Sequence, residues 1–418
     1  MNPDPFQRRR AVITGIGIIS PNGKGIENFW HSIRNGISGC APTTRYDVSK
    51  MAVQVSAEIK NFNLDDHADI IKGGRLDLTV RYGIAAAAEA VRDAKLDTRG
   101  INPDRLAVVE GTTTSGAASV INVWESMLKN EKIHPYHAIG GYCGEGSSAI
   151  SMLLGIKGHA LTYCSGCASG SDALGYAANA VRNDEVDVAI AGGSDSIFPA
   201  QHYGFCRLRA MSEIKCAPAE AMRPFDKTRD GFVLGEGSTF FVIEELSHAR
   251  ERGAKIYAEI AGHGRSCEAY HPTDPHPEGI GYIMAMKKAL RDAQLTGDEV
   301  NYINAHASAT PLNDPLETKA IKKVFGKHAK WMGISGTKPI HGHAMGAAGA
   351  LEAAVCALSI DRQEMPPTIN LKDPDEDCDL DYLAGGARSY PINVAMNVNA
   401  GFGGRYACMI LRKVEDDA

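Results

Sequence analysis

The sequence predicts an α/β protein made of two similar halves, and three observations predict it. Short apolar runs ending in glycine or small polar residues alternate with stretches of roughly ten to fifteen residues whose apolar side chains recur every three or four positions. Two segments late in the chain echo two earlier ones. Glycine is in excess, at 44 of 418 residues or about 10.5%, against a usual ~7%.

Taken in order, the first strand is Ala11-Val12-Ile13-Thr14, running into Gly15 and Gly17. Strand-like runs follow at 106–109 before Gly111, at 159–162, at 186–190 before Gly192-Gly193, and at 240–243, 257–260, 300–303 and 409–411. Helical periodicity falls on 82–94, 172–183, Ile280–Ala293 and 349–359. Strands alternating with helices of this length give sheets covered by helices. The turn after the first strand has a counterpart at 256–264. The small-residue turn and Ala-rich helix at 165–178 has one at 341–355. The expected halves are 1–250 and 251–418, joined near the charged stretch 244–255. Gly15-x-Gly17 with Ser20 matches a dinucleotide fingerprint only in part: the third glycine and the acidic residue ending a second strand are missing.

Composition excludes several classes. With 44 Lys+Arg against 50 Asp+Glu the net charge is −6, so there is no excess cation for a dedicated nucleic-acid binder. No apolar run reaches the ~18–20 residues of a membrane span, and the Arg8-Arg9-Arg10 region lacks a signal-peptide pattern. Ten cysteines are too dilute for a disulfide scaffold. A cytoplasmic enzyme or assembly subunit is expected.

The residues that can carry chemistry cluster on small-residue turns. Cys164-Ser165-Gly166-Cys167 opens a helix, and a helix N-terminus stabilises a thiolate. As a CxxC it lacks the context of a redox dithiol, and as a zinc site it lacks a second ligand pair, so no metal is expected. The bland role is a small buried hydrophobe. The turn favours a nucleophile, with Cys167 nearer the helix than Cys164. Two histidines on similar turns can answer it: His306 in Asn304-Ala305-His306, at a strand's C-terminal end, and His343 in His341-Gly342-His343. A buried Lys338 needs a carboxylate, and Glu317 is the partner expected. Gly401-Phe402-Gly403-Gly404 is a flexible turn carrying one aromatic side chain, a gate or a plain turn.

These motifs together resemble the β-ketoacyl-(acyl carrier protein) synthases. The resemblance rests on Cys167-Ala168-Ser169-Gly170, Asn304-Ala305-His306 with Thr310-Pro311, Thr337-Lys338 with Gly342-His343, and Gly401-Phe402-Gly403-Gly404. Arg223-Pro224-Phe225-Asp226 with Arg229-Asp230-Gly231-Phe232, and Asp377-Cys378-Asp379-Leu380-Asp381-Tyr382, add to it. It implies the thiolase fold, two duplicated α/β halves in an αβαβα layered arrangement. Within the family, Gly166-Cys167-Ala168-Ser169-Gly170-Ser171-Asp172 with Gly175-Tyr176-Ala177 looks most like the ketosynthase (α) subunit of type II polyketide synthases. Ala400 stands where fatty-acid enzymes of this type usually have a second phenylalanine, and Arg405-Tyr406 replaces Thr-Asn.

The resemblance implies a decarboxylative Claisen condensation extending a polyketide, the alternative being fatty-acid elongation by a homodimer. Cys167 then carries the acyl chain, with the N–H groups of Cys167 and Phe402 as oxyanion hole and Phe402 as gate. His306 and His343 stabilise the enolate, Lys338 keeps them neutral, and Glu317 anchors Lys338. Thr273, Thr310, Thr114 and Phe232 are expected to contact substrate, with Thr114 lining an acyl tunnel. Lys72, Arg75 and Arg209 are expected to meet the acidic carrier protein. No cofactor is bound permanently: 4'-phosphopantetheine arrives on the carrier. A chain-length-factor (ketosynthase β) subunit is the expected partner, or a second copy; no nucleic acid or membrane is. A thiolase would share the fold but needs a second catalytic cysteine near the C-terminal glycine turn, and Cys408 is poorly placed for that. A non-catalytic assembly subunit lacks the nucleophile.

Overall fold

A computed structural model describes residues 8–68 and 76–415. Ten principal strands and four principal helices make its frame. The first half contributes β1 (Ala11–Ser20), α1 (Leu78–Asp93), β2 (Leu106–Gly111), β3 (Ala160–Tyr163), α2 (Ser169–Arg182), β4 (Val188–Asp195) and β5 (Gly237–Glu245). The second contributes β6 (Ala258–Cys267), α3 (Ile280–Ala293), β7 (Tyr302–Asn304), β8 (Gly333–Ser335), α4 (Ala348–Arg362), β9 (Val394–Gly401) and β10 (Arg405–Arg412).

The strand order is β3-β2-β4-β5-β1 in the first half and β8-β7-β9-β10-β6 in the second, the same permutation twice. In each, the first three strands are parallel and the last two antiparallel to their neighbours. The halves join edge to edge where β1 meets β6 at Val12↔Glu259 and Ile13↔Ala258.

Alternation along the strands fills three apolar spaces. On β5, Phe240 enters the space under α1 and Phe241 enters the space shared by α2 and α4. On β10, Met409 joins that same central space while Cys408 and Ile410 face α3. Strands apolar on both faces need helices on both sides. Helices α2 and α4 pack on strands of both halves and on each other, so they form the middle layer. Thirteen of the fifteen residues of α4 are buried, as a middle-layer helix requires.

The excess glycine explains the echo between the halves. A Cβ on Gly15 or Gly17 of β1 would lie 2.3 Å from the Ala90 carbonyl or 1.9 Å from that of Ala86, on α1. On β6, Gly262 and Gly264 meet Ala289 and Ala285 of α3 at 2.3 and 2.1 Å. Each G-x-G thus lets one helix turn lie flat on the first strand of its half. Periodicity missed β9, because Asn397 and Asn399 break its apolar run. Both are buried and bonded, Asn397 Nδ2 donating to the Gly349 carbonyl at 2.8 Å. Among the described residues no helix is long and apolar enough to cross a membrane.

Candidate active site

Cys167 sits in the single 3₁₀ turn Gly166–Ala168 that follows β3 and leads into α2. Ser169 holds this turn: its Oγ accepts from the Ser165 N–H at 2.9 Å and donates to the Gly166 carbonyl at 2.6 Å. The Gly401 end of β9 packs against it so closely that a Cβ there would lie 3.0 Å from the Cys167 nitrogen. The backbones of residues 167 and 401–402 therefore share one corner.

His306 follows β7 on a turn that the helix Asn313–Phe325 braces from behind. Glu317 accepts the N–H groups of His306 and Ala307 at 2.7 and 2.9 Å, and Asp314 accepts that of Ala309 at 3.1 Å. These carboxylates hold Ala307 and Ala309 at positive φ, 43° and 60°. His343 is fixed through its backbone, which donates to the Val233 carbonyl at 2.8 Å and accepts from the Gly235 N–H at 2.9 Å. Its ring meets that of His306 edge-on with centroids 5.5 Å apart.

Lys338 is completely buried behind the histidines. Its Nζ donates to the His306 carbonyl and to Glu352 of α4. Asn399 of β9 donates to the other Glu352 oxygen. Glu317 is thus not the anchor of Lys338: it binds the His306 turn, and Glu352, missed in the sequence, takes the ammonium. Glu352 is the one charged residue in the stretch from Ala348 to Ser359, and that isolation is the signal that it has a buried partner.

Electrostatics sort the groups. Burial first, then the Lys338 charge, hold His306 and His343 well below the usual imidazole range, so both are neutral. Burial pushes the Cys167 thiol up to about 12, with Lys338 pulling it down. This corrects the expectation of a lowered thiol pKa at the helix start: desolvation outweighs the other influences on the thiol, and it rests protonated.

One pocket is lined by Cys167, His306, His343, Phe232, Phe402 and Thr310, and by Thr273 and Arg209. Arg209 is exposed at the rim. Phe402 is 39% exposed and stacks on Phe205, which meets Phe232 edge-on, which in turn meets His343 at 5.0 Å between centroids. Phe205 was not legible as part of the site. Thr114 does not line this pocket: its hydroxyl and N–H donate to Asp195, which also takes the hydroxyls of Thr112 and Thr113 and the Gly346 N–H. Through Asp195 and Gly346 this cluster forms a clasp between the halves. Lys72 and Arg75 lie outside the described residues.

Comparison with known proteins agrees with this construction. Residues 8–249 match the family described as "Beta-ketoacyl synthase, N-terminal domain", and 257–372 its C-terminal domain. The "3-oxoacyl-[acyl-carrier-protein] synthase 2" of Coxiella burnetii is 40% identical over 98% of this chain and 100% of its own length. That of Synechocystis is 37% identical over 98% and 99%. Two solved structures are similar at 33% identity over 98% of this chain and 100% of theirs. One is a type II polyketide acyl-carrier protein in complex with its ketosynthase (TM-score 0.90). The other is the ishigamide ketosynthase/chain length factor (TM-score 0.91). The fold is the thiolase fold, the chemistry of the class is acyl transfer, and the chain belongs to the β-ketoacyl synthase family.

Proposed function

We propose that this chain condenses a malonyl thioester with an acyl chain held on Cys167, both delivered on the phosphopantetheine of an acyl carrier protein. One observation carries the reading: a thiol and two neutral imidazoles converge on a single pocket. The Cys167 sulfur attacks the acyl thioester, and the C–S bond to the carrier breaks. The proton of Cys167 ends on the departing thiol, so the exchange is proton-neutral and tolerates a thiol protonated at rest. Backbone N–H groups of Cys167 and Phe402 face the oxyanion. The Nδ1 atoms of His306 and His343 are sealed without partners, which assigns the N–H of each ring to Nε2, because an orphaned donor costs more than an orphaned acceptor. These N–H groups stabilise the enolate formed as the malonyl C–C bond breaks and carbon dioxide leaves. The enolate carbon then attacks the Cys167 thioester, whose C–S bond breaks; the β-ketoacyl carrier leaves and the Cys167 thiolate takes one proton from water to return to the thiol. Glu317 serves by holding the His306 turn, Phe402 as the gate, and Phe232 by seating His343. Thr273 and Thr310 meet the pantetheine arm, and Arg209 the acidic carrier. The scheme uses no resident cofactor. The catalytic groups divide between the halves 1–250 and 251–418.

The test is product formation from acyl- and malonyl-carrier protein, read by mass. Because both imidazoles stay neutral well below their usual range, the rate is expected to hold within about twofold from pH 7 to pH 6, where an ordinary histidine of pKa ~6.5 loses about two-thirds of its neutral form. No β-ketoacyl product would defeat the reading. A steep loss over that interval would defeat the assignment of neutral imidazoles.

For the substrate, the curated relatives at 40% and 37% identity, both named 3-oxoacyl-[acyl-carrier-protein] synthase 2, support fatty-acid elongation, which the sequence alone placed second to a polyketide α subunit. The polyketide reading is supported by the two solved ketosynthases at TM-scores of 0.90 and 0.91. An exposed apolar face favours an assembled form. β3 ends the sheet and exposes Leu161, the helix packed on it exposes Met152, and the helix Ala117–Leu128 exposes Val120, Trp124, Met127 and Leu128. A patch of this kind marks an interface. Light scattering of the pure chain is expected to give twice the chain mass, falling to one with Trp124→Glu. A monomer for the unaltered chain would instead point to a different partner subunit.

A further inference from the structure

The turn that bears Cys167 is tied to a buried Asp172–His263 pair that takes no part in the condensation chemistry. Ser165 Oγ donates to Asp172 Oδ2 at 2.6 Å. Asp172 lies in the first turn of α2 and is 7% exposed. Its other oxygen, Oδ1, lies 3.5 Å from Nε2 of His263 on β6, the first strand of the opposite half. Both of these atoms are sealed from solvent, and neither has a hydrogen-bond partner. A buried carboxylate oxygen and a buried imidazole nitrogen left facing each other in this way are costly unless each satisfies the other.

The local sequence is shaped around this contact. Asp172 and Gly175 are three residues apart and so share a face of α2. A Cβ on Gly175 would lie 2.3 Å from the His263 ring, so the missing side chain is what admits the imidazole. The backbone of His263 is itself held by Asp292, which accepts its N–H at 2.9 Å and pairs with Arg182 at the far end of α2. β6 and α2 are thereby locked in register, with Asp172 brought under Ser165.

We propose that Asp172 is a positioning residue for acyl transfer, holding Ser165, and through it the Cys167 N–H, in line with the thioester oxygen, while His263 holds Asp172. The inference rests on Cys167 being the acylated residue. Ser165 and Cys167 are separated only by Gly166, whose φ of +67° is a conformation that glycine adopts at low cost. Ser169 holds the backbone of this turn from one side, and the Ser165–Asp172 bond is the second side-chain tether that sets its aim. Enolate formation at His306 and His343 does not pass through this tether.

Two half-reactions separate this role from a merely structural one. Acylation is read as the mass shift of the intact chain on mixing with acyl-carrier protein, and decarboxylation as carbon dioxide release from malonyl-carrier protein. Asp172→Ala and Ser165→Ala are expected to slow acylation about tenfold or more while decarboxylation stays within twofold, and Ser165→Thr to restore acylation. Ser165→Ala removes one oxygen and serves where Asp172→Ala does not fold. Unchanged acylation, or an equal fall in both half-reactions, overturns the proposal. If the unaltered chain is not acylated on Cys167, the functional reading fails as well, and that outcome is distinct because it appears before any substitution.

Discussion

Cys167→Ala is expected to lose the acyl adduct and to lower condensation by roughly 10³-fold or more, as removal of a covalent nucleophile does, while malonyl decarboxylation continues. The two outcomes separate because the histidines that stabilise the enolate stand on other segments, after β7 and before α4. The substitution also distinguishes Cys167 from Cys164. Cys164 is exposed and Cys167 is 5% exposed, so accessibility alone favours the wrong thiol. Cys167 is the one on the pocket, beside Gly401 and both histidines. Its thiol is pushed up to about 12 by burial, so alkylating reagents that need a thiolate should react slowly, whereas a carrier-bound thioester seated in the pocket reacts. Intact-mass measurement of the alanine variant decides it: an adduct that persists reassigns the nucleophile to another cysteine.

Glu352→Ala is expected to lower stability by about 3–5 kcal/mol, the usual result of removing one partner of a buried ion pair. Lys338 would keep only the His306 carbonyl, in a site with no exposure to water. Asn399 would lose its carboxylate acceptor as well. Replacing both charges, as Lys338→Met with Glu352→Leu, should recover most of the stability, since well-packed apolar pairs are often no worse than buried ion pairs. The double variant should still be impaired in condensation, because the charge that helps hold His306 and His343 neutral is gone. Denaturant unfolding of the single and double variants measures this. A loss below about 1 kcal/mol in Glu352→Ala would show that Lys338 does not depend on that pair.

The same pair shows where reading the sequence stops. A buried lysine calls for a carboxylate, and both Glu317 and Glu352 lie within 21 residues of it. Glu317 is nearer to His306 in the chain and looked the better partner. Whether a side chain on the helix Asn313–Phe325 or one on α4 reaches Lys338 depends on how those helices pack around β7 and β9. Spacing along the chain carries no information about that. Thr114 is the parallel case in the first half. Three threonines in a row read as a polar tunnel, yet the acceptor that claims them is Asp195, 81 residues away and adjacent only because β4 pairs with β2.

What the sequence determined by itself was local and repeated. Apolar alternation marked most strands of the frame, and three- and four-residue spacing marked α1 to α4. The two G-x-G pairs announced the duplication, because only glycine lets a helix carbonyl come within about 2 Å of a Cβ position, and the same constraint acts in both halves. Cys167, His306, His343 and Phe402 were legible because each stands on a small-residue turn at the end of a strand or the start of a helix, where side chains can face a pocket. The tertiary structure decided the rest: which carboxylate takes Lys338, how far burial raises the Cys167 thiol, and which side chains brace the turns. Those outcomes depend on desolvation and on contacts across the middle layer, and both arise only when the two halves close on α2 and α4.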